Sequence, residues 1–393
     1  MKSIKGRQAF RARFKPAQAL DRLAAHALTR QSLVWSGEVI YRTQKHEGEF
    51  TLIHSVAREL ACSSDSLVAL IFLPGQQAQL QLTDIGKGLL QALTIDYQVT
   101  EDDFPLYKKA PIYRLFHRMR RCIGPSAASY FKGSFDERVA THLKCRADKL
   151  VSIMRRRLKS KALRNAQAEF CRNAKENFIG LSECIDRLAR TRKEVIVLRL
   201  DLFLRAFDSK PAKFGDAPDL RLADEFVALC RSFHNHMEHR FKDFFIGYAW
   251  TLELGREAGF HKHYLVFLDP ASNEDDVAVV QALSDHWVKL TKSRGYAHNC
   301  NEHAHRYKSC AIGRVRLDDA KVIDGLRFIV VYFTLAGLFV KLRLPQGYRT
   351  HHKGKFPKSP VKANRVGRPL KPRRGAWAQE ALELAQSQYL NFM

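Results

Sequence analysis

The sequence predicts an α+β protein in which helices back a β-sheet. Apolar residues recur at steps of three and four along residues 163–188, which places them on one face of a long helix. A run rich in Val, Ile and Leu follows at 195–204 and is typical of a strand. Two more strands are predicted at 246–255 and 260–269, with the glycine-containing turn GREAG between them. Such a short turn favours an antiparallel hairpin.

Helical patterns surround these strands. The long helix is expected to begin in the basic run 154–164 and to end near residue 190. From about residue 17 to residue 150 the pattern predicts mostly short helical segments. Further helices are predicted in 216–245, 275–293 and 317–340.

The chain divides into three predicted regions. Residues 1–150 are expected to be mainly helical and are a candidate DNA-binding region, and residues 151–345 contain the predicted sheet. Residues 346–393 are predicted to be a basic flexible tail with a short terminal helix. Residues 341–376 contain twelve Lys and Arg and no Asp or Glu, so this segment is not expected to build a core.

The charge of the chain predicts the class of its partner. Lys and Arg outnumber Asp and Glu by 66 to 40, which gives a net charge of +26. Such a surplus favours a nucleic acid partner, because binding releases the cations that are condensed on the phosphates. A ribosome-like or merely soluble basic protein is the alternative.

Basic residues cluster at three places. Residues 1–16 form a basic arm, and residues 107–121 interleave aromatic residues with six Lys and Arg, which suits either a nucleic acid strand or a solvated helix. In the tail, GRPLKPRRG resembles an AT-hook, although a plain basic tail is favoured. The predicted nucleic-acid contacts are Lys341, Arg343, Arg349, Arg368, Arg373 and Arg374.

Neither disulfide bonds nor membrane spans are expected. The eight cysteines contain no CxxC pair. The longest apolar run, 328–340, has thirteen residues, whereas a bilayer span needs about 20. A reducing cytoplasm is therefore the expected location.

Two histidines of the third predicted strand share a face. Alternate side chains of a strand point the same way, so His261 and His263 project from one face and Lys262 from the other. Two imidazoles on one sheet face can bind a divalent ion through neutral ring nitrogens. Glu253 lies on the preceding strand and could complete a Mg²⁺ or Mn²⁺ site, if the strand register places it opposite. The alternative is the polar start of a buried strand.

The same spacing occurs a second time in a different setting. His234 and His236 are also two residues apart, but their flanks are helical, and residues two apart on a helix diverge in direction. We therefore expect these two to be surface histidines.

A third histidine-rich segment contains possible zinc ligands. Its spacing matches no zinc finger, so loop histidines near a phosphate groove are favoured over a metal site. The residues are His298, Cys300, His303, His305 and Cys310.

Tyr332 is the candidate nucleophile. A tyrosine hydroxyl beside a metal-polarised phosphate can attack phosphorus and form a covalent link. A tyrosine in an apolar helix such as 317–340 is more often a core residue whose hydroxyl reaches the rim.

In their order, these segments resemble a known family. RKEVIVLRLDLFL, GYAWTLELGREAGFHKHYLVFLD and VYFTLAGLFVKLRLPQGYRT resemble the YagK/YfjJ family, which is related to inovirus-type rolling-circle replication proteins of the HUH endonuclease superfamily. The resemblance covers about residues 150–355 and suggests a phage or other mobile element as the origin. It implies an antiparallel, RRM/ferredoxin-like sheet of about four or five strands backed by helices.

The resemblance also implies a set of roles. His261 and His263 would bind Mg²⁺ or Mn²⁺, with Glu253 as the acidic third ligand. Tyr332 would attack single-stranded DNA or an origin hairpin and leave a 5′-phosphotyrosine and a free 3′-hydroxyl. A host replication helicase is a candidate partner, and no membrane is expected to be involved.

One position departs from the family. The tyrosine motif of the family is Tyr-x-x-Lys, and this chain has Leu335 at the lysine position. Lys341 or Arg343 could replace that cation. However, residues three positions apart are neighbours on one helix face, and Lys341, nine positions after Tyr332, is not such a neighbour.

Three functions follow from these observations. The first is a nicking enzyme that uses Tyr332 and a metal ion. The second is a catalytically degenerate DNA-binding protein with a regulatory or architectural role, which Leu335 favours. The third, an RNA-binding protein with an RRM-like sheet, lacks the aromatic-rich strands that stack bases.

Overall fold

A computed structural model gives the fold. It describes residues 37–98, 106–123, 134–204, 220–255, 259–272, 274–306, 311–344, 347–354 and 356. The helices are α1 (Gly37–Cys62), α2 (Asp84–Leu93), α3 (Pro111–Ile123), α4 (Glu137–Leu158), α5 (Lys161–Thr191), α6 (Leu220–Arg240), α7 (Asp276–Leu290) and α8 (Ala320–Leu335). The strands are β1 (Val68–Leu73), β2 (Gln77–Leu82), β3 (Tyr107–Lys109), β4 (Ser134–Asp136), β5 (Glu194–Leu204), β6 (Phe245–Gly255), β7 (Gly259–Leu268), β8 (Gly295–Asn299), β9 (Gly313–Arg316), β10 (Val340–Leu342) and β11 (His351–Gly354).

The main sheet confirms the predicted α+β class. Six antiparallel strands run in the order β11-β6-β7-β5-β8, and β9 also pairs with β5. The predicted hairpin is formed by β6 and β7. The sheet has more strands than the four or five expected, because β11 comes from a segment that was predicted to be a flexible tail.

Two hydrophobic cores lie on opposite faces of this sheet. On one face, Val197, Leu265 and Phe267 pack in the same core as residues of α5 and α8. On the other face, Leu198 and Val266 pack with residues of α6 and α7. Because helices cover both faces, the central strands β5 and β7 are buried almost throughout and lack the polar alternation of a half-exposed strand.

The N-terminal helices share the first of these cores. The ring of Phe50 in α1 packs against Tyr113 in α3 and against Phe339, at 5.3 and 5.7 Å between centroids. β3 pairs with β10, and the Tyr107 hydroxyl accepts a hydrogen bond from the Leu254 amide at 2.9 Å. β1, β2 and β4 form a small sheet that the sequence analysis did not predict. The predicted boundary at residue 150 stays a prediction.

The predicted long helix is present as α5, but the prediction that it includes the whole basic run is wrong. The basic run 154–164 spans a break, because α4 ends at Leu158 and α5 begins at Lys161. The Ser160 hydroxyl accepts a hydrogen bond from the Leu163 amide and caps α5. The apolar stripe after the break belongs to α5, which ends close to the predicted position.

Part of the predicted flexible tail is ordered. β11 pairs with β6, and the Leu252 amide donates to the Thr350 carbonyl at 2.8 Å. An edge strand needs only backbone partners to be held, so a segment without a core of its own can form one. The basic arm 1–16, Arg368, Arg373, Arg374 and the predicted terminal helix lie outside the described residues. None of the described helices combines the length and apolar character needed to cross a bilayer.

Candidate metal centre

The strand register brings three predicted metal ligands together. His261 and His263 project from the same face of β7, as the alternation predicts. Glu253 pairs directly with His261 in the β6–β7 hairpin, which fixes the register that the sequence left open. On the other side of β7, Asp201 of β5 pairs with His263.

The three side chains converge on one point. Glu253 Oε2 lies 3.4 Å from His261 Nε2 and 3.3 Å from His263 Nε2. The three ligand atoms, one from each residue, all lie within 4.8 Å of one another, and all three residues are buried. This is the only such group of three or more His, Cys, Asp or Glu side chains in the described part of the chain.

Each histidine is oriented by a second hydrogen bond. His261 Nδ1 lies 3.1 Å from the Gly259 carbonyl, and His263 Nδ1 lies 2.6 Å from Asp201 Oδ1. With Nδ1 as the donor, each ring presents Nε2 to the centre, which is the usual arrangement of metal-binding histidines. Gly259 has φ of +64°, a left-handed conformation that favours glycine, so its identity helps to place the carbonyl.

The buried charges balance each other. Burial favours neutral forms of all these groups, but the neighbouring carboxylates of Asp201 and Glu253 outweigh it and raise the pKa of His263 to about 9. Burial likewise favours protonation of Glu253, yet the adjacent His263 lowers its pKa to about 2. The pKa of Asp201 also falls below its ordinary value, because His263 outweighs its burial. The imidazolium of His263 therefore compensates two buried carboxylates.

The residues present fit a bound divalent ion. His261 Nε2 and His263 Nε2 both lie against Glu253 Oε2, so two imidazole nitrogens and one carboxylate oxygen face the same buried point. Two imidazoles and one carboxylate on one face leave open positions for water or substrate oxygens. The group can hold a metal ion, and its donor atoms do not by themselves select which one.

Tyr332 faces the same centre from α8. Its hydroxyl lies 3.1 Å from His263 Nε2, and its ring meets the His263 ring edge-on at 5.3 Å. The Arg199 guanidinium lies over the Tyr332 ring at 5.0 Å. Burial, with help from Glu253, raises the pKa of Tyr332 well above its ordinary value, and Arg199 works in the opposite direction.

Among the described residues, the cation that lies over the Tyr332 ring is Arg199 and not Lys341 or Arg343. The Lys341 ammonium lies 4.9 Å from the Phe170 ring instead, and Leu335 is buried in the core. The backbone amide of Arg343 donates a hydrogen bond to the Leu106 carbonyl, just before β3.

The other predicted residues lie elsewhere. Arg349 contacts His352 at 3.2 Å on β11, on the opposite face of the sheet from the metal ligands. His234 pairs with Glu238, and His236 stacks on His286. Both are half-buried and not surface residues as predicted, and neither belongs to a group of three or more possible metal ligands in the described part of the chain.

The third histidine-rich segment forms no metal group within the described residues. The ring of His298 stacks on that of His303 at 5.1 Å, and Cys310 lies outside the described residues. Cys300 is buried with its sulfur 3.7 Å from Asp201 Oδ2, which places it behind the candidate metal centre.

Sequence reasoning missed Asp201 and Arg199. Both lie on β5, two residues apart and therefore on one face, within an otherwise apolar run. Two charged side chains inside a buried strand are a signal, because burying a charge is costly unless it is paired. That signal could have identified this face of β5 as part of a polar site.

Asp201→Asn is expected to weaken metal binding without removing a ligand. An outer carboxylate fixes the tautomer and raises the basicity of its histidine, so its loss reduces affinity by about 10- to 100-fold. Titration calorimetry with Mn²⁺ would measure this. An affinity equal to that of the native protein would show that Asp201 does not support the site.

Comparisons with protein-family models, with curated proteins and with solved structures found no match for this chain.

Proposed function

We propose that the protein is a rolling-circle replication initiator-like enzyme that nicks single-stranded DNA or an origin hairpin by tyrosine attack. The observation that carries the proposal is the 3.1 Å contact between the Tyr332 hydroxyl and His263, beside a group of ligands able to hold a metal ion. The resemblance to rolling-circle proteins and the net charge of +26 support a DNA substrate.

The proposed reaction is a transesterification. The Tyr332 oxygen forms a bond to phosphorus while the bond from phosphorus to the 3′ oxygen breaks. The phenol loses a proton and the departing 3′ oxygen gains one, so no oxidant or reductant is needed. The reverse attack by a 3′-hydroxyl would release Tyr332 and rejoin the strand.

The residues of the chain have separate roles in this proposal. A divalent ion, Mg²⁺ or Mn²⁺, would polarise the phosphate when it is bound by His261, His263 and Glu253. Asp201 holds His263 in the orientation that presents Nε2. Arg199 places a positive charge at the Tyr332 ring and opposes the rise of the pKa of its hydroxyl.

The second candidate is a catalytically degenerate DNA-binding protein of mobile-element origin. Two observations favour it: Leu335 replaces the family lysine, and Tyr332 is only 3% exposed. A nuclease must open this site to admit a phosphodiester, whereas a regulatory or architectural protein need not. Recruitment of a host helicase fits only the first candidate.

Tyr332→Phe is expected to abolish a covalent protein–DNA adduct. The native full-length chain would be mixed with Mn²⁺ or Mg²⁺ and a pool of single-stranded and hairpin oligonucleotides, and the products separated under denaturing conditions. A label at the 3′ end should migrate with the protein, and a label at the 5′ end should be released on a shorter strand. Without its hydroxyl the side chain cannot bond to phosphorus, so adduct should fall below detection.

Tyr296→Phe is the matched control, because it removes the same hydroxyl from a tyrosine of the same sheet. Tyr296 on β8 pairs with Phe203, which pairs with His261. The variant should retain the adduct. Binding of DNA by the native protein with no adduct under either metal would exclude the nuclease and leave the DNA-binding candidate.

A further inference from the structure

A cleft of about 610 Å³ lies on the face of the sheet opposite the metal ligands. Lys262, between the two histidines, points into it, as do Trp250 of β6 and His352 of β11. Helix α6 forms one wall and residues 347–349 form part of the rim. This volume is in the range of sites for small molecules, about 300–1,000 Å³.

Cations outnumber acids along this cleft. Of the described residues that line it, Arg231, Lys262 and Arg349 are cationic and Asp224 is the one carboxylate. The hydrogen bond between Arg349 and His352 ties the rim segment to β11. The cleft therefore favours an anionic ligand.

Lys262 is the buried cation of this set. It is 5% exposed, and within the described residues it forms no salt bridge with a carboxylate. The thiol of Cys230 is a polar partner of Lys262, and a thiol is a weak hydrogen-bonding group. A buried ammonium is costly unless an anion or a π-system compensates it, and the contacts that the structure describes for Lys262 are the rings of Trp250 and Tyr264 and this weak thiol partner. An anionic ligand at this point would supply the missing partner.

Several aromatic side chains also line the cleft. The Lys262 ammonium lies 4.0 Å from the centre of the Trp250 ring and 5.7 Å from that of Tyr264. Tyr248 and Tyr348 also line the cleft. Trp250 is half-buried, so part of its indole is open to a ligand. Aromatic faces beside cations are the combination that binds nucleic acid bases and their phosphates.

We propose that this cleft binds a nucleotide unit, with its base against Trp250 and its phosphate at Lys262 and Arg349. The ligand is either a free mononucleotide or one nucleotide of a single strand, and the recognising chemistry is the same. The site is separate from Tyr332 and does not depend on the proposed nuclease function.

Direct binding to the full-length protein tests the proposal. The probes would be a 2-aminopurine mononucleotide, the matching nucleoside, inorganic phosphate and a labelled single-stranded oligonucleotide. We expect saturable binding of the mononucleotide, with quenching of its fluorescence on stacking. The nucleoside and inorganic phosphate should each bind at least about tenfold more weakly, because each lacks half of the contacts.

Lys262→Met and Arg349→Gln should each weaken this binding by about tenfold or more, the loss expected for a charge-assisted contact. Arg349 is exposed, so its variant remains informative if Lys262→Met fails to fold. Lys289→Met, an exposed lysine of α7 outside the cleft, is the charge-matched control and should bind normally.

If only the oligonucleotide binds, and both cleft variants weaken it more than the control does, the site takes a nucleotide within a strand. If the mononucleotide does not bind and the cleft variants match the control on the oligonucleotide, the proposal is wrong. Neither result depends on adduct formation at Tyr332, so the two proposals fail separately.

Discussion

His263→Ala is expected to lower divalent-metal affinity by at least about 100-fold, since even the loss of an outer partner costs up to that much. The substitution removes one of three ligands, and it also removes the partner that compensates Asp201 and Glu253. In the metal-free protein both buried carboxylates would then lose the imidazolium that compensates them. Breaking such a buried pair costs about 3–5 kcal/mol of unfolding free energy.

Calorimetric titration with Mn²⁺ and urea unfolding would measure the two effects of His263→Ala. His236→Ala is the control from within the chain, because His236 belongs to the other His-x-His pair and stacks on His286 in α7. Its metal affinity should equal that of the native protein. An equal loss in both variants would mean that the metal binds somewhere other than the β7 pair.

Trp287→Ala is expected to lower the free energy of unfolding by removing packing from the core of α7. Trp287 is fully buried on α7, and its rings meet Phe226 and Phe233 edge-on at 5.9 and 5.8 Å. Its indole N–H donates to the Phe203 carbonyl at 3.0 Å. Truncation leaves a cavity and removes this hydrogen bond, so the unfolding free energy should fall by about 3–5 kcal/mol.

Urea unfolding would measure this loss, and Trp287→Phe should recover part of it because the ring remains. Phe203 stacks on His261 at 5.2 Å, so the carbonyl that Trp287 holds belongs to a residue packed against the candidate metal centre. A loss below about 1 kcal/mol would show that α7 contributes little to holding this edge of the sheet.

The predictable part of the fold is local. Alternation along β7 placed His261 and His263 on one face, and the glycine-containing turn indicated the β6–β7 hairpin. Helical flanks correctly separated His234 and His236 from that site. Each of these inferences depends on residues close together in sequence.

The rest of the fold depends on pairing between strands that lie far apart in the sequence. β10 pairs with β3, more than two hundred residues away, and β11 pairs with β6 across about a hundred residues, as their registers show. Neither short strand has a strong pattern of its own, because its stability comes from the partner. The register that sets Glu253 opposite His261 is likewise a property of the pair of strands.

The contribution of β5 to the site has a local signal, because Asp201 interrupts an apolar strand. Its role depends on the pairing of β5 with β7, which sets Asp201 beside His263. The break at Ser160 was similarly signalled by a capping serine within a continuous basic run.

The most direct test of the central claim is the anomalous diffraction of Mn²⁺ in crystals of the protein. We expect a single strong peak bonded to His261 Nε2, His263 Nε2 and a Glu253 carboxylate oxygen, with the Tyr332 hydroxyl beside it. Bond lengths should be about 2.0–2.5 Å, the range for divalent ions held by nitrogen and oxygen. A peak at other residues, or none at saturating Mn²⁺, would contradict a metal centre at this face of β7.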